Sequence, residues 1–225
     1  MSLDNRLTTA EIQAIFAEEV RAAGGSVSDT FDDGARLFTR SVLPGVRDVR
    51  PGDRLQGGVA LRATGPDVWV HPYVFRQVCR NGAIMAHALQ SEHIEGLEYL
   101  PPEEAASAVR EAVQACCAEE AFTAAAEEMR SAVGTPIDTA LNLLPMLSHL
   151  PSGARAQVLG DILDRFSREA DRSTFGLMNA VTAVARDSRD PELRWRLEEL
   201  GGGIPAGRTP TPLPDDRAAA HVLVG

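Results

Sequence analysis

The chain has 225 residues and a formal net charge of −10, is 44% hydrophobic and 24% charged, and all 22 of its basic residues are arginine. That length is enough to bury a core without metal or disulfide staples, and the composition excludes disordered, collagen-like and membrane-spanning classes. No apolar run approaches the roughly 18 residues of a spanning helix, and Met1 to Leu7 carries charges without a hydrophobic stretch, so a cytoplasmic location is the default expectation.

The first predicted element is a helix from Thr8 to Ala23. Thr8 and Glu11 have capping-box spacing, Ile12, Ile15, Phe16 and Val20 share a face, and Gly24-Gly25 end it. From Ser26 to Gly82 the pattern changes to short β-prone runs separated by Asp33-Gly34, Pro44-Gly45, Pro51-Gly52-Asp53, Gly65-Pro66 and Asn81-Gly82. This predicts an antiparallel meander of about four strands. Period two puts Leu37, Thr39, Ser41 and Leu43 on one face and Arg36, Phe38, Arg40 and Val42 on the other. Likewise Leu55, Gly57, Val59 and Leu61 oppose Arg54, Gln56, Gly58, Ala60 and Arg62, and Val68 and Val70 oppose Trp69 and His71.

After Gly82 the pattern is helical. Expected helices run from Ala83 to His93, from Glu103 to Val133 as one long alanine-rich rod, and over Pro136–Leu150, Ser152–Ala170, Ser173–Arg186 and Pro191–Leu200. Asp190-Pro191 supplies a capping carboxylate followed by proline at the first helical position, and Gly201-Gly202-Gly203 is expected to stop the last helix. The fold class is therefore α+β: an N-terminal helix and β-meander over residues 1–90, packed against an acidic helical region over 91–203, with a Pro-rich tail at 204–225.

Charge divides at the same boundary. Residues 1–90 hold ten acidic and ten basic side chains, so the whole −10 lies after residue 90. Within Gly34 to Arg80 eight arginines meet only Asp48, Asp53 and Asp67, a local excess of +5. An acidic total argues against phosphate binding, but this sheet segment is basic. Arginines that track phosphates and rings that stack on bases are what single-stranded nucleic acid requires. Arg36, Phe38, Arg40, Arg54, Arg62, Trp69, His71, Arg76 and Arg80 are the candidate nucleic-acid-binding residues. The competing expectation is a structural face, with Phe38 and Trp69 covered by a helix and the arginines paired to its acids.

Two further possibilities are weighed. Cys79, flanked by Arg76 and Arg80, has the surroundings of a nucleophilic thiol, with His71 or His87 as its base, against the commoner role of a small packing residue. His71, Cys79, His87 and His93 match no ligand spacing, and the odd trio Cys79, Cys116 and Cys117 suits reduced thiols. Neither metal nor cofactor is expected. Paired glutamates such as Glu103-Glu104 and Glu198-Glu199 are read as solvated helix faces, and Asn81-Gly82 as a turn that permits positive φ.

The run Phe75-Arg76-Gln77-Val78-Cys79-Arg80-Asn81-Gly82, preceded by Pro51-Gly52-Asp53, resembles the signature of a bacterial, phage- and plasmid-encoded family of unknown function, the DUF932-type proteins. Thr174-Phe175-Gly176-Leu177-Met178-Asn179-Ala180-Val181-Thr182, with the glycine-ended helix Leu193 to Gly203, resembles that family's C-terminal block. The resemblance implies a mobile-element context and an α+β fold, but no reaction. The order of helix, β-meander and long helix is also similar to Rad52-like single-strand annealing proteins, at the level of fold alone. The leading expectation is a non-enzymatic, homo-oligomeric protein that binds or anneals single-stranded DNA. The alternatives are a protein-interaction or regulatory module of a mobile element, and a cysteine-dependent enzyme.

Overall fold

The computed structural model describes residues 6–136, 150 and 152–208. Helix α1 (Thr9–Ala22) starts on the expected capping box: the Thr8 hydroxyl accepts from the Glu11 amide, and the Glu11 carboxylate accepts from the Thr8 amide. Its buried stripe is Ile12, Phe16 and Val20. Seven antiparallel strands follow: β1 (Ser26–Asp32), β2 (Arg36–Val42), β3 (Val46–Arg50), β4 (Asp53–Thr64), β5 (Asp67–Arg76), β6 (Asn81–Ile84) and β7 (Glu92–Ile94).

The sheet is built on one long hairpin, β4–β5, in register from Leu55↔Arg76 to Thr64↔Asp67. On one flank β2 and β3 lie in line along β4, and β1 closes the outside of β2. On the other flank β6 and β7 share the edge of β5. The meander thus has more strands than the four expected. Pro44-Gly45 bends the chain without turning it away, because Leu43 and Gly45 keep hydrogen bonds to Gly57.

Two helix expectations fail for tertiary reasons. Ala83–His93 is not a helix: Ala83 and Ile84 pair with Val74 and Tyr73, and His93 pairs with Trp69, so the open edge of β5 overrides helix propensity. The long rod divides into α2 (Pro102–Cys117) and α3 (Glu119–Ala132), with Ala118 extended at φ −60° and ψ 140°. Neither Gly nor Pro marks the break, and the turn presses the Phe122 ring onto the backbone of Gly45 and Gly57.

The remaining α-helices among the described residues are α4 (Ser152–Arg168), α5 (Thr174–Asp187) and α6 (Pro191–Gly203). Asp190 caps α6 as expected, accepting from the amides of Glu192 and Leu193. The three glycines do not stop it. They lie inside α6, where each allows a close approach: a Cβ on Gly202 would sit 1.9 Å from the carbonyl oxygen of Ile84 on β6, one on Gly201 2.4 Å from the Thr182 methyl on α5, and one on Gly203 2.5 Å from the Arg208 carbonyl oxygen. The expected helix at 136–150 and the tail beyond 208 fall outside the described residues, except at their near ends.

Helices α1 and α2 cover one face of the sheet, packing Phe16, Val20, Val109 and Val113 on Leu37, Val59, Leu61 and Val70. At the β3–β6 end, Leu55, Val74, Ala83 and Met85 join a second core with α3 to α6. No described helix is long and apolar enough to cross a membrane.

Candidate functional site

The face opposite α1 and α2 carries most of the residues singled out in the sequence, and the strand register sorts them into rows. Phe38, Arg62, Trp69 and His93 form one row across β2, β4, β5 and β7. Arg40, Ala60 and His71 form the next. Trp69 and His93 are stacked, with ring centroids 4.6 Å apart and planes 9° from parallel. The alternation read from the sequence is therefore correct, and it does collect arginines and rings on one face.

That face is not open. Helix α6 lies over it, using one stripe of its own: Glu192, Trp195, Glu198 and Glu199, spaced three to four residues apart. Trp195 is fully buried and meets Phe38 edge-on at 6.1 Å, with the Arg40 guanidinium 5.9 Å from its ring. Arg40, 2% exposed, donates from Nε to Glu198 Oε2 at 2.6 Å and from Nη1 to Asp29 at 3.2 Å. Arg62 is also buried, 3.0 Å from Glu192, with its guanidinium 4.8 Å from the Trp69 ring. His71 Nε2 lies 3.8 Å from Glu199 Oε1. The expectation of an exposed basic face is corrected: Phe38, Arg40, Arg62, Trp69 and His71 are covered, and the acids that cover them come from this chain. The reading of Glu198-Glu199 as a solvated pair is corrected with it, because both carboxyls are buried.

Burial governs the titration of this seam. Desolvation pushes the Glu199 carboxyl up to about 7, partly opposed by the Trp195 indole and by Arg62. Desolvation, with help from the charge of His93, pushes His71 down to about 3. The Tyr73 phenol is raised for the same reason.

The other candidates lie elsewhere. Arg36 is held in the β1–β2 hairpin by Asp33, at 2.7 Å, and lies over the Phe31 ring. Arg54 is exposed, 3.7 Å from Asp48. Arg80 is exposed in the β5–β6 turn at φ 53° and has no ion pair among the described residues. Arg76 is buried and bidentate to Asp53, at 2.7 and 2.6 Å, with Arg50 bridging Asp53 to Asp171.

The two motif blocks meet at this end. On α5, Phe175, Asn179, Thr182 and Arg186 form one stripe facing the β5–β6 turn. The Arg76 guanidinium lies 5.4 Å from the Phe175 ring, Asn81 Nδ2 donates to Thr182 Oγ1 at 2.7 Å and to the Asn179 carbonyl at 3.3 Å, and Arg186 donates to the Cys79 carbonyl. Asn81 and Cys79 thus serve a latch between turn and helix. The Cys79 thiol is met by Arg76 Nη1 at 3.1 Å, while His71 faces Glu199 and His87 is bonded to Glu128, so neither imidazole is paired with it as a base. Gly82 has an ordinary φ; it is small because a Cβ there would overlap the Tyr73 hydroxyl, and the positive φ falls on Arg80 instead.

The residues that sequence reasoning missed are Glu192, Trp195, Glu198 and Glu199. Their signal was a tryptophan with glutamates three residues to either side on one helix face, opposite a strand set already known to carry arginines. Among the described residues no cluster of potential metal ligands is found. In comparisons with known proteins the chain matches no family model, no curated protein and no solved structure.

Proposed function

We propose that the chain is a non-catalytic protein-interaction module. The observation that carries this reading is that α6 supplies acidic partners to Arg40, Arg62 and His71 and buries them with Phe38 and Trp69, so the centre of the face suited to nucleic acid is used inside the fold. The α2–α3 layer exposes acidic charge to an external partner. Residues 91–133 hold ten glutamates and two arginines, and Glu103, Glu104, Glu111, Glu119, Glu120 and Glu127 are exposed. A surface of that sign favours a basic protein segment and disfavours phosphates.

Fluorescence anisotropy with a labelled arginine-rich peptide and a labelled single-stranded oligonucleotide, each at about 50 and 200 mM salt, tests this. The peptide is expected to bind, more weakly at the higher salt, and to lose affinity in Glu103→Gln/Glu104→Gln/Glu111→Gln but not in Asp161→Asn/Asp164→Asn. The oligonucleotide is expected not to bind. Oligonucleotide binding that weakens steeply with salt overturns the proposal. One observation favours that second reading, single-stranded nucleic-acid binding at the other end of the sheet: Arg54 and Arg80 are exposed beside the protruding Val78. Loss of such binding in Arg54→Ala/Arg80→Ala would place it there.

A further inference from the structure

The seam between α6 and the sheet holds two titratable groups that neither reading above uses. His71, on β5, and Glu199, on α6, face each other at 3.8 Å, both less than a tenth exposed, and His71 Nδ1 has no hydrogen-bond partner among the described residues. The pair can hold two, one or no protons. With two it is a buried cation and with none a buried anion, and each state is penalised by desolvation. With one proton the pair has no net charge, whichever partner carries it.

We infer that His71 and Glu199 carry one proton between them, on one group or the other, and that this pair makes the seating of α6 on the sheet insensitive to pH across the mildly acidic range. The neighbouring charges modulate the pair without replacing it. Arg62 on β4 and Arg196 on α6 favour the Glu199 carboxylate, Glu192 opposes it, and His93 on β7 disfavours a charged His71.

The sign follows from linkage. Seated, the pair keeps its proton from about pH 3 to about pH 7. Released to water, the same groups take their ordinary values of 6.5 and 4.5 and hold one proton between those limits. Between pH 4.5 and 6.5 both states therefore carry the same number of protons, and the opening equilibrium is flat. Below pH 4.5 the released state takes up a second proton, and seating weakens as pH falls. Above pH 6.5 the released state has lost its proton while the seated pair keeps it to about pH 7, so seating weakens slightly and then levels.

Each single substitution removes one of the two opposing dependences. In Glu199→Gln only His71 remains; its value is depressed when seated, so α6 opens more as pH falls. In His71→Gln only Glu199 remains; its value is raised when seated, so α6 opens more as pH rises. From pH 4.5 to 7.5 the two variants are expected to change about 100-fold in opposite directions, and the parent by less than about twofold.

Hydrogen exchange of the α6 amides from Leu197 to Leu200, corrected for intrinsic rate, reads this in the full chain. Opposite slopes in the variants with a flat parent support the one-proton pair. Slopes of the same sign, or flat variants that retain native protection, overturn it. Should a variant fail to fold, the nitrogen chemical shifts of His71 in the parent decide instead. A ring that stays neutral down to about pH 4 supports the pair, and an imidazolium that titrates near its ordinary value refutes it.

Discussion

Replacing Glu198 by glutamine tests whether α6 really closes the arginine face. Glu198 is 1% exposed and Arg40 2%, and the carboxylate accepts from Arg40 at 2.6 Å and from Arg194 at 3.1 Å. The amide is nearly isosteric and can still accept one hydrogen bond, so the perturbation is loss of a charge. Taking one partner from a buried pair costs about 3–5 kcal/mol. Asp29 still approaches Arg40 at 3.2 Å but is 41% exposed, so it offsets only part of that charge. The expected loss is about 3 kcal/mol, which at a urea dependence of about 2 kcal/mol per molar lowers the unfolding midpoint by about 1.5 M. Urea titrations followed by circular dichroism and by tryptophan fluorescence measure it directly. The double replacement Arg40→Met/Glu198→Met removes both charges and is expected to lie within about 2 kcal/mol of the parent. A loss below about 1 kcal/mol in Glu198→Gln is the size of an exposed pair. That result would mean that Arg40 is hydrated and the face accessible, and would refute the covered-seam argument.

Two further substitutions probe the latch and the close approach of α6. Asn81→Ala deletes the bonds to Thr182 and the Asn179 carbonyl and strands buried acceptors, which is expected to cost about 1–3 kcal/mol in thermal or urea unfolding; a change under about 0.5 kcal/mol would mean that the turn and α5 are not joined there. Gly202→Ala and Gly160→Ala are both helical Gly-to-Ala changes with opposite expected signs. The first drives a Cβ into the Ile84 carbonyl and should destabilise by about 3 kcal/mol. The second, on α4 with nothing within 4 Å, should stabilise by about 0.5–1 kcal/mol. Equal effects in thermal melts would contradict the assignment of Gly202 to tight packing.

The sequence by itself determined the local elements whose signals are local. Thr8 and Glu11 mark α1 because a capping box needs only four residues, and Asp190-Pro191 marks α6 for the same reason. Over Arg36–Val42, Arg54–Arg62 and Val68–His71 the period-two alternation assigned the side chains to their faces, since a strand's pleat allows no other arrangement. The same arithmetic located the positive charge on the sheet and the negative charge on the helices. It could not say that one would lie on the other.

Only the tertiary structure decided that. Whether Arg40 and Arg62 reach solvent depends on where α6, more than a hundred residues later, comes to rest, and nothing local to either segment encodes the distance between them. Gly201 to Gly203 illustrate the point: at a helix end such residues ordinarily signal a stop, yet here Gly202 lets the helix backbone touch Ile84. Ala83 to His93 had helical periodicity and became strand and turn because β5 had an unpaired edge. The net charge of −10 argued against nucleic acid, the local excess of +5 argued for it, and the contact of Glu192, Glu198 and Glu199 with the arginine face joins the two. Charges of opposite sign that are free to fold together neutralise each other before any partner arrives, and burial beneath Trp195 makes that pairing part of the core.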